Sequence, residues 1–308
     1  MAHDHHHHHA HAAHAKGRVL FFSLALTLAF VVFETVAGLR AGSLALLSDA
    51  GHNFTDAFAL LLAAIGFYLQ SRPADHVKTY GYQRAGVLVA FVNAITLVAL
   101  AGFLFYESYR RLMHPQPVVE STMIVVAAIG LVVNLGIALS IGHGHDLNLR
   151  AAWLHMLGDA ISSAGIIAGA VAIHFTGWLA IDPLLSILIA VGIVWSAWGI
   201  IKDSLNILLE GLPKGLKLSD VLENVGTIQG VIDVHDLHIW SIGSEAHALS
   251  CHVLIEDMPP SASESILRCI NQLLHDRFSI HHTTIQFEHT KCALADAPCT
   301  ETHRAQLQ

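Results

Sequence analysis

The chain has 308 residues, 54% of them hydrophobic and 13% charged, with a formal charge of −8 when its 24 His are counted as neutral. Soluble globular domains carry about 25% charged residues, so this composition, with a mean hydropathy of +0.54, describes an integral membrane protein. The acidic balance argues against nucleic acid as a partner, and the histidine content points to metal.

The chain opens on "MAHDHHHHHAHAAHA". Asp4 and several alanines interrupt the run, which continues to His14, so residues 1–16 read as a native His-rich tail rather than an expression tag. No cleavable signal is evident before the first apolar run. Six apolar segments follow: Val19 to Leu39, Leu44 to Leu69, Gly86 to Tyr106, Val118 to Ile141, Ala151 to Phe175 and Trp178 to Leu209. Each has about 20 residues or more, enough to cross a hydrocarbon core about 30 Å thick. With the N-terminus inside, Lys16, Arg18, Arg72, Lys78, Arg84, Arg150, Lys202, Lys214 and Lys217 are cytoplasmic, and only Arg40, Arg110 and Arg111 lie outside. That bias puts both termini in the cytoplasm. Residues 17–210 are thus expected to form a six-helix transmembrane domain.

After Gly211 the composition changes. "LSDVLENVGTI" reads as a helix, "GVIDVHDLHIWSI" and "HALSCHVLIED" as strands, "SASESILRCINQLLHDRF" as a helix and "HTTIQFE" as a last strand. Ser261 and Glu264 have the spacing of a capping box at the start of the second helix. The α-β-β-α-β order predicts a small α+β domain over 211–290, an antiparallel sheet with helices on one face, followed by a tail over 291–308.

Inside the second apolar segment, "SDAGHNFTDA" places Asp49, His52 and Asp56 where charge is costly. A carboxylate at the centre of a bilayer helix costs roughly 2.5 to 3.5 kcal/mol, so such residues face a pathway or a partner. His52 and Asp56 are four apart and share a helix face. The fifth segment repeats the spacing in "LHMLGDA", with His155 and Asp159. Two imidazoles and two carboxylates converging from two helices make a tetrahedral N/O set suited to Zn²⁺. Asp49 reads as pathway lining, a supporting group or a structural residue, and Asn53, Asn93 and Asn134 as interhelical hydrogen-bonding residues.

The stretches "SLALLSDAGHNFTDAFALLLA", "TYGYQRAGVLVAFVNA", "ESYRRLMHPQPV", "LHMLGDAISSAGIIAGA" and "HDLHIWSI" together resemble the cation diffusion facilitator family, in its zinc-exporting branch, in family order over residues 17 to 290. The resemblance implies a homodimer in a lipid bilayer, six helices per protomer, and Zn²⁺ export, with Cd²⁺ or Co²⁺ as further cargo, driven by entering protons. It places the transport site on His52, Asp56, His155 and Asp159, with zinc as substrate, no resident cofactor and no enzymatic activity. His at position 52 resembles members preferring zinc and cadmium over manganese or iron. A second family site, in the loop after the second segment, is not complete here: Asp75 is present, but Lys78 and Tyr82 stand where its His residues would be. "GHGHD", 142–146, falls in the family's His-rich loop.

In the last domain His235 and His252 match family metal positions, and Glu288 stands where the family has a carboxylate, making zinc a regulator there as well as cargo. Gln286 occupies a position that is often His, which weakens that subsite. His238 suits packing or ligation equally. Cys292, Cys299, His281 and His282 are candidates to complete a site across the dimer. No G-x-x-x-x-G-K-[ST] motif supports a primary pump, and no H-E-x-x-H supports a metalloprotease. A membrane metal sensor, or an exporter of a different main cation, is the alternative reading. Short loops point to a bacterial inner membrane.

Overall fold

The computed structural model describes residues 27–141, 147–243 and 246–290. They form two compact units, one within Met1–Leu62 and Val92–Gly199, the other within Ala63–Phe91 and Ile200–Gln308. The expected His-rich tail, the 142–146 loop and the tail after residue 290 lie outside the described residues.

Helix α1 covers 27–41, followed by α2 (Leu44–Gln70), α3 (Ala85–Met113), α4 (Glu120–Ile141), α5 (Leu147–Thr176) and α6 (Ile181–Leu208). Five of these, α2 to α6, are long and apolar enough to cross a membrane. The first expected segment is described only from residue 27, so five spans, not six, are counted among the described residues. Helix α3 runs past Tyr106 to Met113 because Glu107 pairs with Arg110 at 3.0 Å and with Arg111 at 3.2 Å, which gives the last polar turns their own i,i+3 and i,i+4 support.

The turn between α1 and α2 is tight. Gly42 takes φ +67°, a conformation that glycine adopts without strain, and Ser43 N–H bonds back to the Gly38 carbonyl at 3.1 Å. Ser43 then caps α2, its Oγ accepting from Leu46 N at 3.2 Å. The remaining amides of that first turn find their acceptor far along the chain. Asp182, at the start of α6, accepts from Ser43 Oγ at 2.6 Å, Leu44 N at 2.7 Å and Ala45 N at 3.1 Å. Arg111 stands 3.7 Å from the same carboxylate and donates to the Gly42 carbonyl. Ser43, Leu44 and Asp182 are buried, so these acceptors satisfy a helix end that solvent does not reach, and the cap fixes where α2 begins.

The core of this unit gathers Ala37, Ala45, Leu46, Met123, Val126 and Ile166 around small residues. A Cβ on Gly130 would meet the Phe30 ring at 2.9 Å and Ser163 Oγ at 3.2 Å, so glycine there lets α1, α4 and α5 approach closely. Large apolar side chains such as Phe103, Leu139 and Trp195 are exposed, as a lipid-facing surface requires.

The second unit contains α7 (Leu218–Gly226), β1 (Val231–Ser241), β2 (His247–Ile255), α8 (Pro260–Phe278) and β3 (Ile280–Glu288), in the expected order. The sheet order is β1-β2-β3, with β1 antiparallel to β2 but β2 parallel to β3. The expectation of an all-antiparallel sheet is therefore corrected. Helix α8 carries the chain back across the sheet before β3, and a strand entered after such a crossover runs parallel to the one before it. Leu237, Ile239, Leu249, Val253, Ile270 and Leu274 form its core. The expected Ser261–Glu264 capping box does not form. Pro260 starts α8 and Pro259 takes the cap position without a side-chain bond, so Ser261 is already inside the helix. Glu264 instead pairs with Arg268 at 2.6 Å.

Candidate metal sites

The i,i+4 spacing on α2 and α5 delivers its four side chains to one place. Ligand atoms of His52, Asp56, His155 and Asp159 all lie within 4.8 Å of one another. His52 Nε2 is 3.5 Å from Asp56 Oδ2 and 3.7 Å from Asp159 Oδ1. His155 Nε2 is 3.3 Å from Asp56 Oδ2 and 3.8 Å from Asp159 Oδ2. The rings stand nearly perpendicular, with centroids 6.1 Å apart. Donors bound tetrahedrally to zinc at about 2.0–2.1 Å are separated by about 3.3 Å. Each imidazole nitrogen thus stands within 3.3–3.8 Å of both carboxylates, close to that edge length. Two ionised carboxylates and two neutral imidazoles carry −2, which a divalent ion cancels. Asp56 Oδ2 and His52 Nδ1 are buried with no hydrogen-bond donor or acceptor among the described residues.

Around this set, Asp49 accepts from Ser162 Oγ at 2.7 Å, joining α2 to α5. Asn53 donates to Glu34 Oε2 at 3.4 Å, joining α2 to α1. Asn93 Oδ1 and Asn134 Nδ2 are buried without a hydrogen-bond partner among the described residues. Glu34 is fully buried and was not singled out in the sequence, where a lone Glu in "VVFETVAG" carries no repeat or spacing to mark it.

The second cluster lies on the sheet. His235 and His252 are cross-strand partners on β1 and β2, and His252 pairs with Gln286 across to β3, two residues from Glu288. His235 Nε2 is 3.3 Å from Glu288 Oε2, His252 Nδ1 is 3.0 Å from Glu288 Oε1, and the ring centroids are 5.4 Å apart. Gln286 donates to Glu288 Oε1 at 2.9 Å, so the residue in place of a His orients the carboxylate. Asp236, with φ +50°, sits in a β1 irregularity. Its carboxylate is 3.0 Å from His238 Nε2 and 3.8 Å from His252 Nε2. Sequence reasoning missed it because only the irregular register turns it toward these rings.

In the loop after α2, Asp75 accepts from Lys78 N at 2.6 Å, Val77 N at 2.8 Å and Tyr82 Oη at 2.9 Å. These donors hold its carboxyl below the usual carboxylate range and occupy three of its roughly four lone-pair sites. His281 stacks edgewise on His275 and His282 on Tyr80; Cys292 and Cys299 lie outside the described residues. Cys251 is buried, and burial pushes its thiol up to about 12.

Residues 20–209 match the cation efflux transmembrane domain, and residues 213–290 match the cation efflux protein cytoplasmic domain. The "Cadmium, cobalt and zinc/H(+)-K(+) antiporter" of Bacillus subtilis is 40% identical over 279 residues, 89% of either chain. The "Metal cation efflux system protein CzcD" of Cupriavidus metallidurans is 42% identical over 283 residues, covering 91% of this chain and 89% of that one. The "Zinc transporter ZitB" of Escherichia coli is 38% identical over 306 residues, covering 98% and 97%. Among solved structures, the metal-bound C-terminal domain of the CzcD transporter is 37% identical and covers 24% of this chain and 99% of that one, with a TM-score of 0.22.

Proposed function

Because this chain belongs to the cation efflux family, we propose that it exports Zn²⁺ from the cytoplasm in exchange for protons, with Cd²⁺ and Co²⁺ as further cargo, binding the ion at His52, Asp56, His155 and Asp159. The observation that carries the reading is the convergence of a four-donor, charge-matched N/O set from two membrane helices. The absence of thiolate from that set suits a site that must release its ion. Coupling follows from the donors themselves. Imidazole must be neutral and carboxylate ionised to hold metal, so protons arriving from outside expel it. Moving one elementary charge through 100 mV is worth roughly 2.3 kcal/mol. Zn²⁺ leaving a negative interior costs twice that, so one entering proton offsets half, and the proton stoichiometry and the pH gradient supply the rest.

In this reading the protein is a homodimer with six spans per protomer and both termini in the cytoplasm of a bacterial cell, embedded in the inner membrane. His235, His252 and Glu288 bind regulatory zinc. The test is metal uptake into proteoliposomes under an imposed pH gradient with a panel of divalent ions. Zinc flux that follows the gradient and disappears in His52→Ala is expected. Zinc binding without counterflow would make the protein a sensor instead.

A further inference from the structure

The membrane metal site forms two rungs of a longer ladder. Between the helices, His52 stands opposite Asp159 at 3.7 Å and Asp56 opposite His155 at 3.3 Å. As the α2 member of each pair moves forward, the α5 member moves back, so the two helices face one another antiparallel along this seam. Asp49 lies three residues before His52, and Ser162 lies three after Asp159, which on a helix is one turn along the same face. Ser162 Oγ donates to Asp49 Oδ1 at 2.7 Å, making this pair the next rung. One turn further on, Ala45 and Ile166 are both fully buried in a single apolar core. Exposure grows in the other direction: Asp49 is buried, the Asp159 side chain is 5% exposed and the His155 side chain 43%. The ligand set is therefore closed at the Asp49–Ser162 end and open at the Asp56–His155 end.

Of the four close donor pairs in the site, two lie within one helix and two cross from α2 to α5. The crossing pairs depend on how far apart the helices stand. Tetrahedral zinc needs donors about 3.3 Å apart, and a larger ion of the same charge needs them further apart. An O–H···O bond has a working range of about 2.5–3.0 Å. At 2.7 Å, the bond between Ser162 and Asp49 tolerates little widening, and it lies a single turn from the donors. We propose that Asp49 and Ser162 are a positioning pair that sets the spacing of α2 and α5, and so tilts the His52 site toward Zn²⁺ and against the larger Cd²⁺. The pair acts through the four ligands rather than on the ion. An ion that fits the closed spacing leaves the bond intact, whereas a wider one must stretch or break it. The inference rests on the reading that the ion binds at His52, Asp56, His155 and Asp159.

The test measures Zn²⁺ and Cd²⁺ affinities of the full-length protein in nanodiscs by equilibrium dialysis at one pH. Metal bound by His52→Ala, which keeps the other metal-binding parts of the chain, is subtracted. Asp49→Ala and Ser162→Ala should each lower the ratio of zinc to cadmium affinity by about tenfold, the worth of one hydrogen bond. The double variant should lower it no further than either change alone, because both remove the same bond. Asp49→Asn keeps an acceptor oxygen and Ser162→Thr keeps the hydroxyl, so both should restore most of the ratio. Charge at Asp49 acts on both divalent ions alike, and a merely structural role would weaken both alike. An unchanged ratio in the two alanine variants would therefore overturn the proposal. So would additive losses in the double variant, or a Ser162→Thr protein as unselective as Ser162→Ala. Should Asp49→Ala fail to fold, Ser162→Ala and Ser162→Thr decide, since they alter only a small, half-buried side chain. A wild type that binds no more metal than His52→Ala would sink the site assignment and this inference together. A ratio indifferent to the pair would sink this inference alone.

Discussion

The two clusters use the same chemistry and are built differently. Both set imidazoles nearly perpendicular around carboxylate oxygen, with ring centroids 6.1 Å apart in the membrane and 5.4 Å on the sheet. The membrane cluster takes four donors from two helices, and its charge closes to zero with a divalent ion. The sheet cluster takes three donors from three strands, and with a divalent ion it keeps one positive charge and one open corner. Zero charge and a complete set suit an ion that must be held within hydrocarbon. An open corner suits an ion that reports its presence, since water, Asp236 or a second protomer can fill it.

The sharpest way to break this comparison is to remove one membrane donor. Losing only the groups that orient a ligand costs about 10- to 100-fold, so Asp56→Ala, Asp159→Ala, His52→Ala and His155→Ala should each lower zinc flux by more than that in proteoliposomes, while size-exclusion profiles stay as in wild type. Near-normal flux in any one would take that residue out of the site. The next largest effect is on choice of metal. His52→Asp replaces an imidazole with a hard oxygen donor and adds negative charge, so the metal panel should broaden toward Mn²⁺ and Fe²⁺; an unchanged panel would move selectivity away from the ligands. At the sheet, His235→Ala or Glu288→Gln should lower the zinc-stimulated rate several-fold and leave the panel as it was, measured as flux across a zinc titration. The smallest effect should come from deleting residues 1–14, whose proposed role is to gather metal for the pathway without being part of it. Apparent affinity should fall slightly and maximal rate not at all. Imidazoles protonate near pH 6.5, so that difference should vanish on mild acidification; a tail deletion that is inactive at saturating zinc would contradict it.

What could be read in advance follows from how far apart the cooperating residues are. His52 with Asp56, and His155 with Asp159, lie one helical turn apart, so periodicity alone showed each pair, and repetition on a second apolar segment joined them. The α-β-β-α-β order was equally local. The direction of β3 was not, because it depends on where α8 returns the chain. The Ser261–Glu264 spacing misled because two prolines begin α8 earlier than the capping pattern does. Asp236 turns toward the histidines only through a backbone irregularity with φ +50°. Glu34 meets Asn53 only when α1 and α2 pack, and no single-helix pattern contains that meeting.

The cap that Asp182 places on α2 has a consequence for biosynthesis. The acceptor for the Leu44 and Ala45 amides is made 138 and 137 residues after them. A helix that enters the bilayer early is therefore completed by the last one to arrive, and until then Ser43 is its provisional cap. A buried amide left without an acceptor costs about 1–3 kcal/mol, enough to keep the Gly42 turn open to cellular proteases during insertion. Chains that stop after α5, or carry Asp182→Ala, should be cut at this turn in pulse-chase experiments and cleared faster than wild type. Equal lifetimes would mean that Ser43 suffices.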